Sequence, residues 1–207
     1  NADGVDVTAQ FANIDKSATG TLTITARPIE ITANNASNEF TGSTITYATA
    51  GDAVEPYYTI TSTGENAGLA PNQSITAITL SGEGIEADEY PITITEGSVE
   101  IGDYTANYNI TLQPGTLTIT QSSAAIVVTP GSGEKVYDGT ALTKTAHNDF
   151  TVTGVPEGFT WTAAADGTVT NVTPGEGEKA VNAVTEFKIF NADGVDVTAQ
   201  FANIDKS

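Results

Sequence analysis

The chain has 207 residues, with 26 acidic residues against seven basic ones, a single His and no Cys. The lack of Cys excludes disulfides and thiolate chemistry, and a net charge of −19 argues against nucleic acid and anionic membranes as partners, since phosphate groups are bound by Lys and Arg. No apolar run is long enough to predict insertion into a membrane as a helix.

The first 25 residues predict the end of a repeat module. Residues 1–17 recur unchanged as residues 191–207, a spacing of 190, and the string GTLTIT at residues 20–25 recurs at 115–120, a spacing of 95. Identical strings at a spacing and at twice that spacing are typical of a tandem array. We therefore predict that residues 1–25 close a preceding module, with residues 20–25 as its last strand.

Residues 26–120 are predicted to form a complete module. Apolar and polar side chains alternate at residues 29–32, 59–61 and 91–95, as in strands with one buried face. Turn residues separate these segments, and no stretch has a convincing helical period. About seven short strands in this length predict an antiparallel β-sandwich of immunoglobulin type. The Thr-X-Thr strings are interpreted as the polar outer face of that sandwich rather than as an ice-binding array.

Residues 121–207 are predicted to form a second module of the same fold that lacks its last strand. An aromatic-X-Gly-Ser/Thr turn occurs early in both modules, at residues 40–43 and 137–140, but the second module stops before a GTLTIT string. Almost no linker separates the modules. The fold class predicted is therefore all-β, with two tandem immunoglobulin-like antiparallel β-sandwich modules stacked end to end.

Two isolated side chains are candidates for a site. Trp161 alternates with Phe159 and Ala163 on one face of a predicted strand, which favours a core position over a platform for stacking sugars. His147 lies in a loop-like string without partners for a metal or a nucleophile, which favours a solvated His. No nucleophile elbow or His-Glu pair occurs. We predict no catalytic, metal or cofactor site and no enzyme activity.

Charged residues supply two weaker candidates. The acidic runs at residues 83–89 and 191–196 offer oxygen ligands to calcium, but neither fits the twelve-residue calcium loop, so solvated turns are favoured. Lys–Asn isopeptide cross-links are excluded from residues 26–120, which contain no Lys. In the second module surface positions are favoured for four lysines, which are Lys135, Lys144, Lys179 and Lys188.

Several motifs carry a resemblance to known repeat families. Residues 136–140, VYDGT, resemble the opening motif of the YDG repeats of bacterial surface proteins. Residues 87–93, 106–110 and 114–120 resemble the ending of the MBG repeats. Both families are immunoglobulin-like modules of large bacterial surface proteins and adhesins. The resemblance implies a tandem context and an extracellular location at the bacterial cell surface, and it implies no ligand.

The predicted function is that of a structural repeat in an extracellular bacterial surface fibre or adhesin stalk. Its partners are neighbouring copies of the same repeat, joined head to tail by strand complementation or in a continuous array. Leu22 and Ile24, like Leu117 and Ile119, are predicted to point inward. If residues 18–25 instead complete the second module of their own chain, the molecule is a closed monomer. The alternative function is a glycan- or protein-binding adhesin module, which needs a concave aromatic patch.

Overall fold

The computed structural model describes residues 1–11, 17, 19–49, 57–173 and 179–206. Strands account for 41% of the residues and helices for 8%, which confirms the all-β class. Within the described ranges, no helix combines the length and apolar character needed to cross a membrane. The helical residues named here form single 3-10 turns at Thr8–Gln10, Thr105–Asn107, His147–Asp149 and Thr198–Gln200.

Residues 27–120, called here the first half, form two sheets. Their strands are β1 (Arg27–Ala33), β2 (Ala36–Glu39), β3 (Ile45–Thr49), β4 (Tyr58–Ile60), β5 (Leu80–Gly84), β6 (Glu89–Ile94), β7 (Tyr108–Gln113) and β8 (Gly115–Thr120). One sheet has the order β4-β1-β7 and the other the order β2-β8-β6-β5-β3. β1 runs parallel to β7 and β2 parallel to β8, whereas the other pairs are antiparallel. The prediction of a purely antiparallel module is therefore wrong, because strand pairing across the chain is not encoded in local alternation.

The two parallel pairs form one continuous feature. Arg27 lies opposite Tyr108 and Ala36 lies opposite Leu117, the same offset of 81 in both sheets. Two residues separate β1 from β2, and one residue separates β7 from β8, so both segments change sheets at the same level. Their side-by-side course links the two sheets of the first half.

Residues 122–205, called here the second half, repeat part of this plan. Their strands are β9 (Ser122–Thr129), β10 (Leu142–Thr143), β11 (Thr151–Thr153), β12 (Thr160–Ala165), β13 (Thr168–Val169), β14 (Val184–Phe190) and β15 (Phe201–Asp205). The order β11-β9-β15, with β9 parallel to β15 and antiparallel to β11, matches the order β4-β1-β7. β12 pairs with β14, and β10 pairs with β13. The two halves therefore share the order and the directions of one three-stranded sheet.

The buried side chains follow the predicted alternation in both halves. Ile29 and Ile31 of β1 are buried, and so are Ile126 and Val128 of β9. Burial of alternate apolar residues on one face of a strand removes them from water and supplies most of the stabilisation of such a sheet.

The prediction for the GTLTIT strings is confirmed for the copy at residues 115–120, and the copy at residues 20–25 forms no strand within this chain. In β8, Leu117 and Ile119 are buried while Thr118 is half-buried. Residues 20–25 are in no strand, and Leu22 and Ile24 are fully exposed. A strand needs neighbours for its backbone groups, and β8 has β2 and β6. Residues 20–25 also do not complete the second half of their own chain, so the closed monomer is not observed.

The repeated 17-residue string also occurs in two settings. Asp6 and Asp196 each accept the backbone N–H and the hydroxyl of the Thr two positions on, at 2.5–3.0 Å. These hydrogen bonds lower the pKa of both carboxyls below the usual value. The bond from the Thr hydroxyl has the larger effect, and the bond from the Thr N–H has the smaller one. Phe201 is nevertheless buried, whereas Phe11 is 63% exposed. The turn is therefore local, while burial of the aromatic ring depends on the second half.

Candidate functional site

The two halves meet at a short polar joint. Only Gln121 separates β8 from β9. The hydroxyl and the backbone N–H of Ser123 donate to the Glu39 carboxylate at 3.0–3.1 Å. The backbone N–H of Ala87 donates to the side-chain oxygen of Gln200 at 2.6 Å. Hydrogen bonds that involve both sides of the linker fix the orientation of the second half on the first.

Three aromatic rings pack across the same joint. Phe40 comes from the first half, and Phe159 and Phe201 come from the second. Their ring centroids lie 5.4–6.0 Å apart, and Phe201 meets both other rings edge to face. Such geometry contributes about 0.5–1.5 kcal/mol per pair beyond area burial. A Cβ on Gly42 would lie 2.4 Å from the Phe159 ring, so this turn fits the ring only with glycine.

No local pattern in the sequence indicates that these three rings meet. Phe40 begins the turn motif that both halves share, but the partners of Phe40 lie 119 and 161 positions further on. The informative signal was the near absence of a linker, which requires the two halves to touch.

The second half has an open strand edge on β14. At the repeat spacing of 95, Phe187 and Ile189 of β14 correspond to Ile92 and Ile94 of β6. All four side chains are buried. β6 lies between β5 and β8, but in the described residues β14 pairs as a strand only with β12. The N–H of Val197 donates to the Ile189 carbonyl at 2.8 Å, which covers one end of that edge. Residues 184–187 form the rest, called here the open edge.

A cavity lies beside residues 133–136 of the second half. If Tyr137 is the counterpart of Phe40, residues 133–136 are the counterpart of β2. They form no strand, and they line an open cavity of about 960 Å³ together with parts of residues 142–144, 167–173 and 179–182. The lining includes residues of β10 and β13 but no residue of β14.

The turn at residues 137–140 matches the turn at 40–43, but an added Cβ on Gly139 would meet no described atom within 4 Å. Gly139 has φ +78° and Gly42 has φ +81°. Lys135 donates to the Asp138 carboxylate at 2.9 Å, and Thr140 donates to it through its N–H and its hydroxyl at 2.8–2.9 Å. These hydrogen bonds hold the pKa of Asp138 far below the usual value. The bond from Lys135 has the largest effect, and the two bonds from Thr140 come after it.

The two aromatic candidates from the sequence contact each other. Trp161 is half-buried and packs against the core near Phe187. The His147 ring stacks on the indole with centroids 4.0 Å apart and an interplanar angle of 26°. His147 is exposed, as expected, but it covers one face of Trp161 that a sugar ring would need.

The charged candidates lie in turns and at strand edges. Residues 83–89 bridge β5 and β6, and residues 191–196 form the turn after β14. In the part of the chain that is described, no group of three or more His, Asp or Glu side chains could hold a metal ion. Among these lysines, Lys135 pairs with Asp138, Lys144 with Asp149 and Lys188 with Glu186, at 2.9–3.3 Å.

No protein-family model, no curated protein and no solved structure matches this chain.

Proposed function

We propose that this chain is a structural repeat of an extracellular bacterial surface fibre or adhesin stalk, built from immunoglobulin-like sandwich modules joined head to tail. The joint between the two halves carries the proposal. A one-residue connection, the Ser123–Glu39 and Ala87–Gln200 hydrogen bonds and three packed aromatic rings favour a fixed angle between modules. A fixed angle repeated along a chain produces an extended rod rather than a flexible string.

The sequence repeats support the same proposal. A 17-residue identity at a spacing of 190 and a six-residue identity at 95 describe a unit of two modules. The resemblance of the VYDGT motif and of the module endings to YDG and MBG repeats supports the location on the bacterial surface. The parallel pairing of β1 with β7 and of β9 with β15 supports one topology for both modules.

Binding of glycans is less well supported as the function. Trp161 is the single Trp of the chain, and His147 occupies one face of its ring. The remaining faces of Trp161 pack toward Phe187 and the core. A structural role requires no such platform.

The test is to lengthen the array and measure its shape. A longer chain, in which residue 207 is followed by a second copy from residue 18 onward, keeps the spacing of 190. Small-angle scattering should give a maximum dimension about twice that of the single unit, because rigid joints add length in proportion to the number of modules. A compact particle, or a broad distribution of dimensions, would contradict the proposal.

A further inference from the structure

We propose that Tyr47 and Tyr57 form an oxidative cross-linking site, at which a haem peroxidase with hydrogen peroxide joins the two rings as dityrosine. Both residues belong to the first half, and the site does not depend on the proposed array. The cross-link ties the two sheets of the first half together along one side. It gives a covalent brace to a chain that has no Cys and therefore no disulfide.

The two tyrosines form a close pair of rings. Their centroids are 5.5 Å apart and the interplanar angle is 68°, so an edge of one ring meets the face of the other. Among the described residues, this is the one pair of Tyr rings in contact. In dityrosine, the two ring carbons that neighbour the hydroxyl-bearing carbons are bonded to each other. The rings need to approach by less than the length of one carbon–carbon bond, and side-chain rotation supplies this without movement of the strands.

The backbone holds both side chains at one side of the sandwich. Tyr47 lies in β3, opposite Gly82 of β5. Tyr57 immediately precedes β4, and its carbonyl accepts the Asn34 N–H at 2.9 Å, just after the end of β1. β3 is the outer strand of the five-stranded sheet, and β4 is an outer strand of the three-stranded sheet. A bond between the rings therefore links the two sheets on the side opposite to β2 and β8.

The surroundings of the pair suit a neutral radical better than a charged phenolate. Both rings are half-buried and pack against the core. Burial, and after it the charge of a Tyr57 phenolate, raise the pKa of Tyr47. A phenoxyl radical has lost both an electron and a proton and is neutral, so burial does not penalise it in this way. The chain also has no Cys and no Met, so the sulfur side chains that peroxide oxidises do not compete for it.

The reaction is a two-electron oxidation of the pair. Each phenol loses one electron and one proton to the peroxidase, which leaves two phenoxyl radicals. The radicals combine through ring carbons that neighbour the oxygen-bearing carbons, and one carbon–carbon bond forms. Each of these carbons then releases its hydrogen as a proton while the oxygen of the same ring takes one up, which restores both aromatic rings. In total, two hydrogen atoms leave the pair, and one hydrogen peroxide is reduced to two water molecules.

The first experiment treats the full 207-residue chain with a haem peroxidase and hydrogen peroxide. The product is unfolded and digested with a protease that cleaves after Asp and Glu, which cuts after Asp52 and so separates the two tyrosines. We expect the two peptides to remain joined, with the mass of two hydrogen atoms missing and with the blue fluorescence of dityrosine. The fractional yield should not depend on protein concentration, because both rings belong to one chain. Products joined only between chains, or no joined peptides, overturn the proposal.

Matched variants identify the reacting pair. Tyr47→Phe and Tyr57→Phe each remove one phenol and keep the ring. Each should lower the yield of dityrosine within one chain by about tenfold or more, since rings held in contact react at a high effective concentration. Tyr104 is exposed in the same half, and Tyr104→Phe should react like the wild type. Thermal unfolding before treatment shows whether each variant is folded. A yield that survives the loss of either Tyr47 or Tyr57, or that falls equally in Tyr104→Phe, overturns the proposal.

The second experiment measures what the bond does to stability. A link between residues 47 and 57 removes conformations from the unfolded chain, as a disulfide does. The melting temperature should rise by about 5–15 °C after treatment, the shift expected for a disulfide that closes a loop of this size in a domain of this length. Tyr47→Phe treated in the same way should show no such rise. An unchanged melting temperature of the cross-linked wild-type chain overturns its role as a brace.

Discussion

At the scale of single residues, the Asp138 turn gives a test by pH. The Lys135 ammonium and the Thr140 donors lower the pKa of the Asp138 carboxyl. A lowered pKa in the folded state means that the ionised group stabilises the fold above its ordinary pKa of about 4 and that this stabilisation is lost as the pH falls toward the folded-state pKa. Lys135→Met should raise the pKa of Asp138, as measured by NMR titration of its side-chain carboxyl. Lys144→Met, which removes the partner of Asp149 instead, should leave the pKa of Asp138 unchanged.

The two leucines of the GTLTIT strings make a matched pair at the same scale. Leu117 is completely buried, so Leu117→Ala should lower the free energy of unfolding by about 2–5 kcal/mol, the range for a large-to-small change in a core. Leu22→Ala should change it little, since Leu22 is fully exposed. Denaturant titration at a protein concentration that keeps the chain monomeric measures both. Equal losses would contradict the different roles of the two strings.

At the scale of elements, matched glycine substitutions in the turns at residues 40–43 and 137–140 distinguish the effect of packing at the joint from the effect of backbone strain. Alanine at either Gly42 or Gly139 must adopt a left-handed conformation, at a cost of about 1–2 kcal/mol. Only at Gly42 does the added Cβ also collide with the Phe159 ring. Gly42→Ala should therefore destabilise the chain more than Gly139→Ala in thermal unfolding. Equal shifts of the melting temperature would show that the ring moves away without cost and that the joint is loose.

The alternation of apolar and polar residues predicted where the strands lie, but it did not predict how the strands pair. The alternating segments at residues 29–32, 59–61 and 91–95 fall within or against β1, β4 and β6, because a buried face imposes period two on its own residues. The Asp–Thr turn forms in both copies of the repeated string, because all of its hydrogen bonds are local. The parallel pairs, the meeting of Phe40 with Phe159 and the exposure of residues 20–25 depend on residues far away in the sequence. Such features depend on which distant strands and side chains lie next to a segment in the folded chain. The residues of the segment itself do not contain that information.

At the scale of the whole molecule, the charge of the proposed fibres sets how they approach each other. By count, residues 26–120 carry a net charge of −11, residues 121–207 carry −6 and residues 1–25 carry −2. Like charge on every unit repels neighbouring filaments over roughly the Debye length, which is about 30 Å at 10 mM salt and about 3 Å at 1 M. Side-by-side bundling should therefore increase with salt, as measured by light scattering or electron microscopy. Bundling that is the same across this range would mean that charge does not control it.

The place of β8 also decides how the chain responds to tension. In the proposed array, a pull along the axis enters β8 lengthwise from β9, since only Gln121 lies between them. The bonds between β8 and β2 run from the Ala36–Leu117 level to the Glu39–Thr120 level, and parallel ladders space their bonds evenly along the strand. Sliding β8 out therefore shears several bonds at once instead of opening them one by one. The lifetime of a module of this kind under force is therefore governed by the rate at which the whole set of bonds breaks, which is an unfolding rate.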